Sequence, residues 1–156
     1  PDDGTLAAAI TASGQVVVLD EDVAGTSVPK LFCDNEQGGY LAGRHLAEAG
    51  HRRVLFIGGV DAMLSGARRF NGFRRAMTEV WGADARIERY EGEYSTEFGQ
   101  SAAKRMLESR LDVTAVFATS DEITIGALEV LNAAGIRVPQ DLSLVGFDDV
   151  GPLRPE

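Results

Sequence analysis

The stretch AVFATSDEITIGALEVLNAAGIRVPQDLSLVGFDD, residues 115–149, determines the fold class of this chain. It opens with a short, wholly apolar run at residues 115–118, continues with apolar residues at helical spacing, and ends with a second apolar run at residues 142–147. A hydroxyl or carboxylate side chain after the first run can cap the helix, and Gly135 follows its end. This order predicts a strand, a helix and a parallel strand.

The same alternation extends through the 156 residues of the chain. Further strands are predicted at residues 15–20, 30–33, 54–57 and 86–90. Helices are predicted to end at Ser13, and to run from Asp34 or Asn35 to Ala49, from Ala67 to Trp81, and from Ser95 or Thr96 to Leu107. The pattern predicts an α/β fold with a parallel sheet covered by helices on both faces. Because the chain opens within a helix and its last strand lacks a covering helix, we expect a fragment of a larger domain.

Charge and cysteine content exclude several classes of function. The formal net charge of −9 disfavours direct binding to a phosphate backbone, which requires clustered Lys and Arg. A single cysteine, Cys33, permits neither an intrachain disulfide nor a cysteine-based zinc site, and this fits a reducing cytoplasm. No apolar run approaches the roughly 20 residues that span a bilayer, so no membrane association is expected.

Motifs for catalysis, cofactors and metals are not found. The sequence lacks GxGxxG after a strand, a GxxxxGK[ST] phosphate loop, a GxSxG elbow and an HExxH helix. His45 and His51 have no spaced partners for zinc, so packing or loop contacts are the expected role. We therefore predict a protein that is not an enzyme and has no catalytic residue, cofactor or metal.

Polar residues gather where the predicted strands end, which is where open α/β sheets bind ligands. These positions are Asp20, residues 58–65, 91–94 and 119–121, and Asp148 with Asp149. Arg68 and Arg69 enter a helix just after one of these loops. Acids and an arginine make charge-assisted hydrogen bonds to hydroxyl groups, and an aromatic ring covers a C–H face. The set suits a neutral polyhydroxylated ligand.

Three further stretches carry a family resemblance together with the strand that ends at Asp20. They are DNEQGGYLAGRHLAEAGHRRVLFIGG (34–59), SGARRFNGFRRAM (65–77) and TSDEITIGALEVLNAAGIRVPQDLSLVGFDD (119–149). In order and spacing they resemble the LacI/GalR family of bacterial transcription regulators. The resemblance implies a two-lobed fold of the type I periplasmic-binding-protein-like class. Residues 1–33 would form part of the N-terminal lobe, and residues 34–156 a C-terminal lobe truncated at its end, without the DNA-binding headpiece.

The resemblance also implies a ligand-binding set. Arg69, three residues before Gly72, matches the arginine that reaches the effector, and Asp148 matches an acid that accepts hydrogen bonds from it. Tyr94 stands where the family often places a stacking ring, and Asp20 lines the cleft from the other lobe. Loop positions that vary with the effector complete the set: Ser65, Ser120 and Asp121. In sugar-responsive members an asparagine often stands at the position of Ser120, which is a departure here.

Structural roles are the alternatives for several of these residues. Arg69 could be a solvated helix arginine, Asp148 a turn former as well as a ligand, and Tyr94 an aromatic at a sheet edge. Asp121 is equally explained by helix capping. Gly39 and Gly43 form a GxxxG pattern that indicates close helix packing.

The function predicted from the resemblance is effector sensing in a cytoplasmic LacI-type repressor that works as a homodimer. A small polar effector, a sugar ahead of a purine or nucleoside, would bind between the lobes and control operator DNA binding by the missing headpiece. The main alternative is a periplasmic sugar-binding protein of a transport system, which shares the two-lobed fold. A doubly wound α/β enzyme is a third possibility, disfavoured by the lack of a catalytic constellation.

Overall fold

The computed structural model describes residues 4–20, 22–60 and 63–149. The helices are α1 (Thr5–Ser13), α2 (Asn35–Glu48), α3 (Leu64–Trp81), α4 (Thr96–Glu108) and α5 (Asp121–Ala133), with a 3-10 turn at Gly82–Asp84. The strands are β1 (Val18–Leu19), β2 (Lys30–Leu31), β3 (Arg53–Gly59), β4 (Arg86–Gly92), β5 (Ala115–Ala118) and β6 (Ser143–Val145). Within these ranges no helix is both long and apolar enough to cross a membrane.

Strands β3 to β6 form one parallel sheet in the order β4-β3-β5-β6. Val54 of β3 is in register with Ile87 on one side and Ala115 on the other. The chain moves from β3 outward to β4 and then crosses back to β5, so its direction along the sheet reverses between β3 and β5. Such a switch point opens a crevice at the carboxyl ends of the strands.

Helices cover both faces of this sheet, as the sequence predicted. Side chains of β3 alternate between the faces, because successive residues of a strand point in opposite directions. Val54 and Phe56 pack with the buried residues of α2 and α3, and Leu55 and Ile57 pack with those of α4 and α5. All four side chains are at most 1% exposed, so the sheet has an apolar core on each face.

Glycines bring α2 and α3 into backbone contact. A Cβ atom added at Gly39 would lie 2.0 Å from the carbonyl oxygen of Arg69, and one at Gly72 would lie 1.9 Å from that of Glu36. At Gly43 it would lie 2.7 Å from the carbonyl oxygen of Phe73. The packing role predicted for Gly39 and Gly43 is therefore confirmed. The same contact sets the position of Arg69 against α2.

We expect Gly39→Ala to lower the free energy of unfolding by about 2 kcal/mol or more, because the helices must separate to admit a methyl group. Urea unfolding followed by circular dichroism measures this change. Gln37→Ala, at an exposed position of the same helix, is the control and should change stability little. Equal stability of the two variants would contradict the close packing.

The prediction of a buried strand at residues 15–20 is wrong. Only Val18–Leu19 is extended and paired, and it pairs with β2 in a separate two-stranded sheet. Val17 is 57% exposed and Leu19 is 66% exposed. Apolar periodicity records which residues can be buried, but burial requires a packed neighbour, and the described residues provide none for this sheet.

The connection between the strand predicted to end at residue 57 and the helix predicted to begin at Ala67 is shorter than expected. Strand β3 continues through Gly58 and Gly59, which are in register with Glu91 and Gly92 of β4. Helix α3 begins at Leu64, one turn before the predicted start, and Met63 at its N-cap makes no side-chain capping bond. The end of β3 was placed too early because glycine normally indicates a loop. The start of α3 was placed too late because no capping residue marks it.

Candidate ligand-binding site

A pocket of about 230 Å³ opens at the carboxyl ends of the strands. It is lined by Asp20, Met63, Ser65, Arg69, Tyr94, Ser120, Glu122 and Asp148. Met63, Ser65 and Arg69 follow β3, at the start of α3 or within it, and the other residues follow β1, β4, β5 or β6. Six of the seven residues nominated from the sequence therefore meet in one cleft.

Asp121 is the nominated residue that does not line this pocket. It is 7% exposed and begins α5, directly after Ser120. The next residue, Glu122, reaches the cleft instead. The sequence did not indicate Glu122, since an acid in the first turn of a helix carries no specific signal, and Met63 lies within the predicted ligand-facing positions 58–65 without being nominated by itself.

A larger depression of about 760 Å³ lies elsewhere, on the outer faces of α2 and α3. Both of its acids already have partners: Arg75 donates to Glu36 at 2.6 Å, and the hydroxyl of the neighbouring Tyr40 donates to Glu79 at 2.7 Å. It lies away from the carboxyl ends of the strands, so the smaller cleft is the candidate site.

Arg69 is the best-connected residue of the cleft. Its Nε donates to Asn35 Oδ1 at 2.7 Å, and its Nη1 donates to the carbonyl oxygen of Thr119. Its Nη2 lies 3.7 Å from Asp20 Oδ2, and its guanidinium carbon lies 3.8 Å from the centroid of the Phe147 ring. With 6% exposure, Arg69 is not a solvated surface arginine, so that alternative is wrong.

Asn35 connects the two sides of this network. It is 1% exposed, and its Nδ2 donates to Asp20 Oδ1 at 2.7 Å while its oxygen accepts from Arg69. The backbone nitrogen of Cys33 donates to the same Asp20 oxygen at 3.0 Å. Asp20 is thereby held by the segment that leads into α2.

Sequence analysis considered Asn35 only as a possible helix cap. Asp34 takes that role, because its side chain accepts from the backbone nitrogen of Gln37 at 3.0 Å. Because Asp34 already caps α2, Asn35 is not needed as a cap, and its presence directly after Asp34 is the one sequence signal of another role. The sequence also did not indicate Thr119 and Phe147 as partners of Arg69. Any residue type can offer a backbone carbonyl as Thr119 does, and the sequence alone does not show which ring lies against a guanidinium group.

We expect Asn35→Ala to lower the free energy of unfolding by about 2 kcal/mol, because it removes a partner of the buried Arg69 and of the half-buried Asp20. Thermal or urea unfolding measures this loss. Asp34→Asn keeps a competent cap at the adjacent position and should cost much less. If Asn35→Ala is no less stable than Asp34→Asn, Asn35 does not hold the network together.

Tyr94 contributes an aromatic face and an unpaired hydroxyl. The Arg69 guanidinium lies 5.7 Å from the centroid of its ring. The hydroxyl oxygen is buried and finds no hydrogen-bond partner among the described residues. Gly59 makes room for the ring, because a Cβ there would lie 2.7 Å from the hydroxyl oxygen. A ligand hydroxyl could satisfy this oxygen, as buried polar groups generally require.

Ser65 and Ser120 have different structural roles. Ser120 Oγ accepts from the backbone nitrogen of Ile123 at 3.3 Å and so caps α5. Ser65 is 5% exposed in the first turn of α3. Both serines line the pocket, so Ser120 combines the cap that the sequence predicted with a place in the cleft.

Asp148 lies among other acids. Its backbone has a positive φ of 73°, a conformation that Asp and Asn tolerate better than most residues. Partial desolvation raises the pKa of its carboxyl group above the ordinary value, and the charges of Asp121, Glu122 and Asp20 raise the pKa further. The charge of Arg69 lowers the pKa in opposition.

Because the folded state raises the pKa of Asp148, ionisation of this carboxylate opposes folding at neutral pH. We expect Asp148→Asn to be more stable than the parent chain at pH 7, by about 0.5 kcal/mol on the scale of exposed charge pairs. The difference should close as the pH falls towards about 4, the ordinary aspartate range, since the parent residue is then protonated. Urea unfolding across this pH range measures it, and a difference independent of pH would contradict the assignment.

Metal binding finds no support in the part of the chain that the structure describes. Residues 4–20, 22–60 and 63–149 contain no group of three His, Cys, Asp or Glu side chains that could hold a metal ion.

Comparison with known proteins agrees with this geometry. A family model for the periplasmic binding protein-like domain matches residues 44–154. The HTH-type transcriptional repressor PurR of Klebsiella pneumoniae is 38% identical over 140 residues, which is 89% of this chain and 41% of that protein. The chain thus spans less than half the length of this curated relative.

Solved structures extend the likeness to the fold. A LacI family transcriptional regulator from Mycobacterium smegmatis is 31% identical, with a TM-score of 0.80 over 93% of this chain and 53% of that one. A LacI family regulator from Enterococcus faecium with bound ribose is 25% identical, with a TM-score of 0.77 over 96% of this chain and 55% of that one.

Fold and cleft together define an α/β ligand-binding domain whose site lies at the carboxyl ends of parallel strands. These likenesses extend over nearly the whole chain and include the strands that form the cleft. The chain belongs to the family of periplasmic-binding-protein-like domains, in the form found in LacI-family transcription regulators. The relatives are regulators and not enzymes, in agreement with the sequence prediction.

Proposed function

We propose that this chain is the effector-binding domain of a cytoplasmic transcription regulator, and that its effector is a small polar ligand of the sugar class. The ligand would bind in the cleft and control operator binding by a DNA-binding headpiece. The observation that carries this proposal is the convergence of Asp20, Arg69, Tyr94 and Asp148 on one pocket. The repressor named PurR and the two LacI family structures support the regulatory role.

The proposal divides the chain into two lobes near Asp34, with residues 1–33 in one lobe and residues 34–156 in the other. Residues 150–156 lie outside the described residues. The separate β1-β2 and β3 to β6 sheets support this division. A ligand contacting Asp20 from one side and Arg69, Tyr94 and Asp148 from the other would favour the closed arrangement by binding it more tightly.

Closure of the two lobes around the ligand can affect operator binding only if it changes the position of the DNA-binding headpieces. In a homodimer, the symmetry expected of regulators that bind palindromic operators, closure of each subunit would reposition a pair of headpieces. A coupling free energy of about 1–3 kcal/mol would change operator affinity by roughly 5- to 150-fold.

Sugar is preferred to purine or nucleoside for two reasons. Acids and Arg69 offer several acceptors and donors at short range, as a ring of hydroxyl groups requires. Tyr94 is the single aromatic residue among the described lining residues, whereas a purine is best held by stacking on both faces. The ribose bound by the Enterococcus faecium regulator supports the same choice.

A periplasmic sugar-binding protein is the alternative with the same fold. The relatives described above are all transcription regulators, which favours the regulator over the carrier. Selection of genomic fragments by the complete gene product separates the two. A regulator retains specific fragments, and its effector changes their affinity, whereas a carrier retains none.

We expect a member of a panel of pentoses, hexoses, nucleosides and purines to raise the melting temperature of the complete gene product. A ligand that binds only the folded state stabilises it by about 2.7 kcal/mol at a concentration of 100 Kd. Asp148→Asn should reduce this shift strongly, since Asp148 lines the cleft.

The matched control is Asp149→Asn, which makes the same charge change one residue away and outside the lining set. It should keep the ligand-induced shift. Equal loss in both variants would contradict the assignment of Asp148, and a hit limited to purines or nucleosides would overturn the sugar class.

A further inference from the structure

We propose that the cleft selects an uncharged polyhydroxylated ligand and rejects its phosphorylated and carboxylated counterparts. The inference rests on the proposed function and narrows its ligand class. The observation behind it is the charge of the lining. Among the described residues that line the pocket, three are acids, Asp20, Glu122 and Asp148, and one is a cation, Arg69.

The charge of Arg69 is already engaged by the protein. Asp20 lies 3.7 Å away, the Thr119 carbonyl oxygen and Asn35 accept hydrogen bonds, and the Phe147 ring covers the guanidinium. An arginine carries five N–H donors, more than these contacts use. Arg69 can therefore donate to a ligand hydroxyl, and Asp20 already offsets part of its positive charge.

The remaining acids reinforce one another. Burial raises the pKa of Asp148, the charge of Arg69 lowers it, and the charges of Asp121, Glu122 and Asp20 raise it, so all three acids lie close enough to act on this carboxylate. A phosphate or carboxylate placed among them would meet the same repulsion. A hydroxyl group would instead donate to these carboxylates, as a neutral donor does to an ionised acceptor.

Helix N-termini are the feature that could reverse this preference, because their free N–H groups attract phosphate. Helix α5 begins at the cleft, but Ser120 caps it and Asp121 and Glu122 occupy its first turn. Helix α3 also begins there, and its N-cap residue Met63, which lines the pocket, makes no side-chain capping bond. The N-terminus of α3 carries only about half an elementary positive charge, and the three carboxylates of the lining oppose it.

The test compares neutral and anionic forms of one sugar. The probes are D-ribose with D-ribose 5-phosphate and D-ribonate, and D-glucose with D-glucose 6-phosphate and D-gluconate, with inorganic phosphate alone as a further arm. Affinities for the complete gene product are measured by calorimetry or thermal shift, at low and at high salt. We expect the neutral sugar to bind and each anionic form to bind roughly 100-fold more weakly, with a smaller gap at high salt because the repulsion is screened.

Charge variants give the matched comparison. Glu122→Gln should reduce the difference in affinity between the neutral and the anionic forms of the sugar several-fold, since it removes one acid from the cleft. Glu97→Gln is the control, because Glu97 is the second residue of α4 as Glu122 is of α5, but it does not line the pocket. The control should leave the gap unchanged.

The outcomes separate the two proposals. Binding of a phosphorylated or carboxylated form as tightly as the neutral sugar, or of inorganic phosphate alone, overturns the charge selection and leaves the effector cleft in place. An unchanged gap in Glu122→Gln also overturns it. If neither these sugars nor any other pentose or hexose of the panel described above binds, the sugar effector itself is wrong.

Discussion

A buried guanidinium group must find partners for its charge and for its N–H donors, and Arg69 imposes this requirement on the whole site. An unpaired charge at 6% exposure would cost several kcal/mol. Asn35, the Thr119 carbonyl oxygen and Asp20 meet the requirement from three separate segments of the chain. The end of β1, the start of α2 and the end of β5 are thereby held around one side chain.

Two features of the fold bring Arg69 to that position. The reversal of strand order between β3 and β5 opens the crevice, and glycines let α3 lie directly against α2. Neither feature concerns a ligand, yet both determine where the cleft lies. The same side chain that organises the cleft can still donate to a hydroxyl group, so the structural and binding roles of Arg69 are compatible.

The sequence predicted much of the fold. The bounds of β5 agree with the structure, and the helices that have a clear capping residue begin where expected. Agreement ends where the local signal is missing or mixed: Met63 provides no cap for α3, Gly58 and Gly59 belong to a strand, and the apolar run before Asp20 is mostly exposed. In each case the contacts that a segment makes in the folded chain, or lacks there, decided its structure against the preference of its own residues.

The sequence by itself determined the α/β alternation, the apolar cores on both faces of the sheet and six of the eight described residues that line the cleft. These follow from periodicity, from capping chemistry and from the family pattern, all of which are local in the chain. The tertiary structure alone decided that Glu122 and not Asp121 faces the pocket, and that Asn35 joins Asp20 to Arg69. Such choices depend on helix rotation and on contacts between residues far apart in sequence, which no local pattern records.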